Sequence, residues 1–109
     1  MDVTKVNDSG GVEPTYTTIA AGGSETFKND KNTIIHIKDT GGEAADVTIP
    51  TPVSFDGDLE VDDRIIAIEA DDEIFAGPFR SIYEDDDGEI TIELEDTSGA
   101  EIEVAALKV

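Results

Sequence analysis

The sequence predicts an all-β fold: a single-domain β-sandwich, jelly-roll-like, of about eight short antiparallel strands. Three observations predict it. The aliphatic set is β-branched, with thirteen Ile and eight Val against three Leu, and such side chains, stiff at χ1, suit a pleated surface better than a helix. Apolar and polar residues alternate in the clearest segments, and turn-forming pairs recur at roughly ten-residue spacing. No window carries a sustained i, i+3, i+4, i+7 apolar stripe, so little helix is expected.

Taken in order, residues 1–12, with Gly10-Gly11 and no periodicity, read as an N-terminal arm or linker, either frayed or laid on a neighbour. The sandwich is expected over residues 13–109. Short strands are expected at 16–20, 25–28 and 58–61, and longer ones at 33–38, 46–49, 64–69 and 72–76. The clearest alternation is Glu89-Ile90-Thr91-Ile92-Glu93-Leu94-Glu95, where every second residue is apolar, the mark of a strand with one wet face. Ile102, Val104 and Ala106 alternate with Glu101, Glu103 and Ala105 in the same way. The breaks carry turn chemistry: Gly22-Gly23, Asn29-Asp30, Gly41-Gly42, Asp56-Gly57, Ala70-Asp71-Asp72, Asp87-Gly88 and Ser98-Gly99. Gly supplies positive φ, and Asn and Asp bond their own backbone.

The 109 residues make one ordinary domain. Twenty-seven Asp and Glu against seven Lys and Arg leave a net charge of −20. Direct binding to nucleic acid is not expected, because that affinity comes from cations displacing phosphate counterions. An anionic bilayer repels the chain for the same reason. No apolar run approaches a membrane span, and the first residues lack a signal-peptide pattern. With no cysteine, disulfides, thiolate metal sites and Cys nucleophiles are excluded. Ile, Val, Leu and Phe still supply 28 of the residues, above the roughly 20% below which composition signals disorder. The chain therefore folds, under a self-repulsion that salt screens. Its Lys-poor, carboxylate-rich surface looks like that of proteins from extreme halophiles.

Catalytic chemistry is hard to assemble from these residues. The single His36 lies on an expected strand beside Ile35 and Ile37, where a structural histidine is the plain reading, and no Ser occupies a Gly-x-Ser-x-Gly elbow. No phosphate-binding glycine pattern occurs. The run Glu84-Asp85-Asp86-Asp87-Gly88-Glu89 packs five carboxylates around one turn, which makes Asp85, Asp87 and Glu89 weak metal candidates. A helical calcium loop does not fit: with Gly88 sixth, the first and twelfth ligands would be Tyr83 and Leu94. A solvated acidic hairpin tip is the competing reading. No catalytic residue and no cofactor are expected, beyond weakly held divalent or monovalent cations. Cations are scarce, so Arg64 and Arg80, with neighbouring Phe79 and Tyr83, are the interface candidates; the plainer alternative for each arginine is a local ion pair.

The order of segments then resembles a known family. Pro14-Thr15-Tyr16, Thr26-Phe27-Lys28-Asn29-Asp30, Ile35-His36-Ile37-Lys38-Asp39-Thr40-Gly41 and Val47-Thr48-Ile49-Pro50-Thr51-Pro52 are followed by Asp56-Gly57, Val61-Asp62-Asp63-Arg64, Gly77-Pro78-Phe79, Tyr83 and Val104-Ala105-Ala106-Leu107. Together they are similar to small all-β virion structural proteins of tailed double-stranded DNA viruses. The resemblance implies a head-associated protein that binds the major capsid protein or other virion proteins, decorates or stabilises the capsid, forms a homo-oligomer, and is assembled in the host cytoplasm into the virion. The acidity implies a virus of a halophilic archaeon. The alternatives are a neck or tail ring component and a calcium- or carbohydrate-binding β module; an enzyme is not expected.

Overall fold

The computed structural model describes residues 1–6, 11–30, 32–52, 54–55, 59–60 and 63–108. Eleven strands occur among them: β1 (Val3–Lys5), β2 (Thr17–Ala20), β3 (Ser24–Lys28), β4 (Thr33–Asp39), β5 (Ala45–Ile49), β6 (Ser54–Phe55), β7 (Leu59–Glu60), β8 (Arg64–Ile68), β9 (Glu73–Ala76), β10 (Glu89–Leu94) and β11 (Glu101–Lys108). A single 3-10 turn, Ser81–Tyr83, lies between β9 and β10.

Eight of these strands form two four-stranded layers, β2-β11-β4-β9 and β3-β10-β5-β8. The pairing is nested: β2 with β11, β3 with β10, β4 with β9, and β5 with β8, all antiparallel. That is the winding of a long hairpin folded over on itself, which defines a jelly roll. The expected sandwich is present. The small hairpin β6–β7 is inserted where the winding doubles back, between β5 and β8.

The alternation of the sequence decides the interior. Ile19, Ile35, Ile37, Ile102, Val104 and Ala106 of one sheet meet Phe27, Val47, Ile49, Ile68, Ile90, Ile92 and Leu94 of the other, all buried in one cluster. Each large aliphatic removed from water contributes about 1.5–3 kcal/mol, so these two inner faces hold the layers together. Intervening residues such as Glu93 are exposed, and opposite faces of a strand therefore see different solvents.

Two features of the expected layout change. The segment read as an arm over 1–12 contributes β1, which pairs parallel with the end of β11, Val3 opposite Ala106 and Lys5 opposite Lys108. The arm is laid on its own domain, and one pair in the sheet is parallel. Expected strand ends move by one or two residues, as frayed ends do; of the strand expected at 58–61, residues 58, 61 and part of its turn lie outside the described residues. The Gly turns at 22 and 88 have positive φ, at 76° and 75°.

The winding gives the sandwich two unlike ends. One is closed by the short turns after β2, β4, β8 and β10, which carry Glu43, Glu69, Asp71, Asp72, Glu95 and Asp96 and no Lys or Arg. The other carries the turn after β3, the longer connections after β5 and β9, and the end of β11, with Asp30, Asp63, Glu84, Asp85, Asp86 and Asp87 among their residues. Register places Lys28, Arg64 and Lys108 there, and Arg80 follows β9 at the same end.

Candidate functional site

At the long-loop end, the connection after β9 folds against the turn after β3. Gly77 makes that turn possible. Its φ is +108°, and a Cβ there would lie 3.0 Å from the Phe79 ring and 3.1 Å from the Thr33 carbonyl, so any other residue would be both strained and crowded. Phe79 then enters the core, 5.9 Å from Phe27 between ring centroids, and Tyr83 stands edge-on against it at 6.2 Å. Asn29, buried, ties the two loops: its amide nitrogen donates to the Phe79 carbonyl at 3.2 Å and to Glu84 Oε2 at 3.1 Å.

Between these loops lies an open groove of about 670 Å³ whose lining includes Asn29, Asp30, Phe79, Arg80, Ser81 and Glu84. The Asp30 carboxylate at its rim is bonded by Lys108 Nζ at 2.7 Å, the Asn32 backbone N–H at 2.8 Å and the Thr33 hydroxyl at 3.0 Å. The Lys108 bond, then the Asn32 bond, hold its pKa at about 2, below the usual 3.8. Asp30 is thus a satisfied anion. Asn29 is not satisfied: its Oδ1 is buried without a donor.

The four interface candidates gather around this groove. Arg80 lines it and is exposed. Arg64, from the first position of β8, holds its guanidinium carbon 5.8 Å from the Phe79 ring centroid. Phe79 is only 5% exposed, so it is a platform beneath Arg64 more than a contact surface; Tyr83 is half-buried behind it. The local ion pairs weighed for the arginines do not form among the described residues, where the ion pairs of cationic groups are Met1 amino group with Glu25 and Lys108 with Asp30. Asp63, next to Arg64 in sequence, instead accepts the N–H and hydroxyl of Thr51 at 2.9 and 3.3 Å.

The acidic tip is a turn. Asp85 Oδ1 accepts the backbone N–H groups of Asp87 at 2.8 Å and Glu89 at 3.0 Å, and Lys28 Nζ bonds the Asp87 carbonyl. The weak metal candidates Asp85, Asp87 and Glu89 are not brought together as ligands, and no group of three or more His, Asp or Glu able to hold a metal ion occurs among the described residues.

His36 lies on the outer face of β4, buried by its neighbours. Its Nδ1 is 2.7 Å from the Tyr16 hydroxyl, Phe75 stacks on its ring at 4.3 Å, and Lys38 Nζ sits 4.2 Å over the Tyr16 ring. Its Nε2 has no hydrogen-bond partner and stands 3.7 Å from the exposed Glu73 carboxylate. Among the described residues no serine or carboxylate is hydrogen-bonded to this ring, and its surroundings are those of a covered strand face. No described helix is long and apolar enough to cross a membrane. Comparison of the chain with protein-family models, with curated proteins and with solved structures finds no match in any of the three.

Proposed function

We propose that this chain is a virion structural protein: a jelly-roll module that binds the major capsid protein and decorates or stabilises the head of a tailed virus of a halophilic archaeon, as an oligomer. The observation that carries the reading is the pairing of a jelly-roll winding with two ends that are both acidic but differ in their cations. One end has short turns with six carboxylates and no Lys or Arg, suited to facing brine outside a shell. The other concentrates loops, a groove and the exposed arginines, suited to holding a neighbour. The segment order of the sequence supports the same reading. A wound sandwich of this size supplies rigid edges and loops for a lattice, which is a use many shell proteins make of this architecture.

Mass spectrometry of purified virions tests the proposal, by presence and by copy number. Decoration of a head requires copies on the order of hundreds, since each shell subunit presents an equivalent site. A dozen copies or fewer would move the chain to a neck or tail ring, and absence from the particle would end the reading.

A further inference from the structure

Four strands edge the two layers. β3 carries Glu25, β9 carries Glu73, and β2 shows no exposed large hydrophobic. β8 differs: Arg64-Ile65-Ile66-Ala67-Ile68 has no carboxylate and leaves Ile65 64% exposed. Natural edge strands are guarded by charge, bulges or cover, because their unpaired N–H and C=O groups recruit other strands. In a chain of net charge −20, an edge without acid is an exception. We propose that β8 is a self-association edge. A second copy of this chain adds its own β8 antiparallel, about a two-fold axis at Ile66, and joins the two β3-β10-β5-β8 layers into one continuous sheet.

Main-chain geometry shows which groups are free. Asp46 of β5 turns toward β10: its carbonyl accepts the Glu95 N–H at 3.1 Å, and its N–H donates to Glu95 Oε1 at 2.9 Å. Successive residues of a strand point their main-chain groups to opposite sides, so Val47 faces β8, with Ile66 opposite it. Ile65 and Ala67 therefore aim their N–H and C=O at the open edge. Centring two copies on Ile66 sets Ile65 of each against Ala67 of the other as hydrogen-bonded pairs. It also sets the half-buried Ile66 against itself, covering the part left exposed.

The same arrangement is complementary in charge. β8 begins at Arg64, which has no ion-pair partner among the described residues, and leads into the turn 69–72, with Glu69, Asp71 and Asp72. Antiparallel pairing lays Arg64 of each copy beside that turn of the other, so both ends of the contact join opposite charges. A parallel arrangement would set Arg64 against Arg64 and acid against acid. Asp63, which comes opposite Glu69 of the second copy, is already held by the N–H and hydroxyl of Thr51.

The inference does not need the virion reading; it supplies a contact for the oligomer named there, but it is measured on the isolated chain, so either can fail alone. Sedimentation of the full chain in about 3 M KCl should show a dimer with a dissociation constant of about 10 μM. Because two like-charged copies must approach, the dimer should weaken as salt is lowered to about 0.5 M. Ala67→Pro deletes an N–H aimed at the open edge and none bonded to β5, and Ile65→Glu charges an exposed position. Each should keep the circular dichroism spectrum of the native chain and weaken the dimer about thirtyfold. If Ala67→Pro does not fold, Ile65→Glu decides alone. The chain has no cysteine, so Ile66→Cys should give a disulfide-linked dimer on mild oxidation, since opposed residues of a non-hydrogen-bonded pair stand about 4.5 Å apart. Phe75→Cys, exposed on the facing sheet, should not. A chain that stays monomeric at about 1 mM, a dimer that survives the edge variants, or equal cross-linking at position 75 would overturn the inference.

Discussion

Asp30 ties the end of β11 to the turn after β3, and its charge state decides how firmly. Folding holds its pKa at about 2 against the ordinary 3.8, so the folded chain favours the ionised form. The stabilisation is complete above the ordinary value and is lost as pH falls from 3.8 toward 2. Melting midpoints of the native chain and Asp30→Asn should therefore differ at neutral pH and converge as acid is added toward pH 2. A difference that persists there would detach the effect from this carboxylate. Because the group is exposed, the difference should also shrink in salt. Single residues were legible in the sequence where they were rare: five lysines and two arginines in so acidic a chain drew attention to Arg64 and Arg80. Asn29 was not, since Asn29-Asp30 reads as ordinary turn chemistry. Only the approach of a loop some fifty residues away, |i−j| = 50 for the Asn29–Phe79 bond, makes Asn29 the tie across the groove.

Strands were legible in proportion to their alternation. β10 follows the period of two over its whole length and β11 over its first four residues, and the structure buries Ile90, Ile92, Leu94, Ile102 and Val104 accordingly. This carries a direct test. Ile92 is fully buried and Glu93 exposed, so Ile92→Asp should cost more than about 4 kcal/mol and leave the chain unfolded, whereas Glu93→Lys should change stability by about 0.5 kcal/mol or less. Denaturant titration of both reads the register, because a slip of one residue would reverse the two outcomes. β1 escaped the sequence because three residues carry no period; its place follows from the open edge that β11 offers beyond its pairing with β2. The edges also differ in how they are guarded. β8 runs Arg64-Ile65-Ile66-Ala67-Ile68 with one charge, and Ile65 is 64% exposed. An edge so lightly charged is the place where a neighbouring strand meets least resistance.

Across the whole molecule, charge sets the conditions for folding. A net −20 on a single domain opposes compaction, and the opposition reaches further as salt is withdrawn: the screening length is about 3 Å at 1 M and about 10 Å at 0.1 M. Diluting NaCl from about 3 M to about 0.1 M should lower the melting midpoint by about 10 °C, equivalent to about 2 kcal/mol. Equal midpoints would show that the carboxylates impose no strain on the fold. The class of fold was readable because strand content and turn rhythm are local properties. The groove was not, because it is made where loops from distant parts of the chain converge. The nesting of the strands has a temporal side as well. β11 is the partner of β1, β2 and β4 together, so a polypeptide still emerging from the ribosome has its middle strands ready and no seam to close them. Such a topology, rich in distant pairings, folds in milliseconds to seconds and not in microseconds. Until the last strand is synthesised, the nascent chain waits with its isoleucines in water, and it is then that a chaperone would find most to hold.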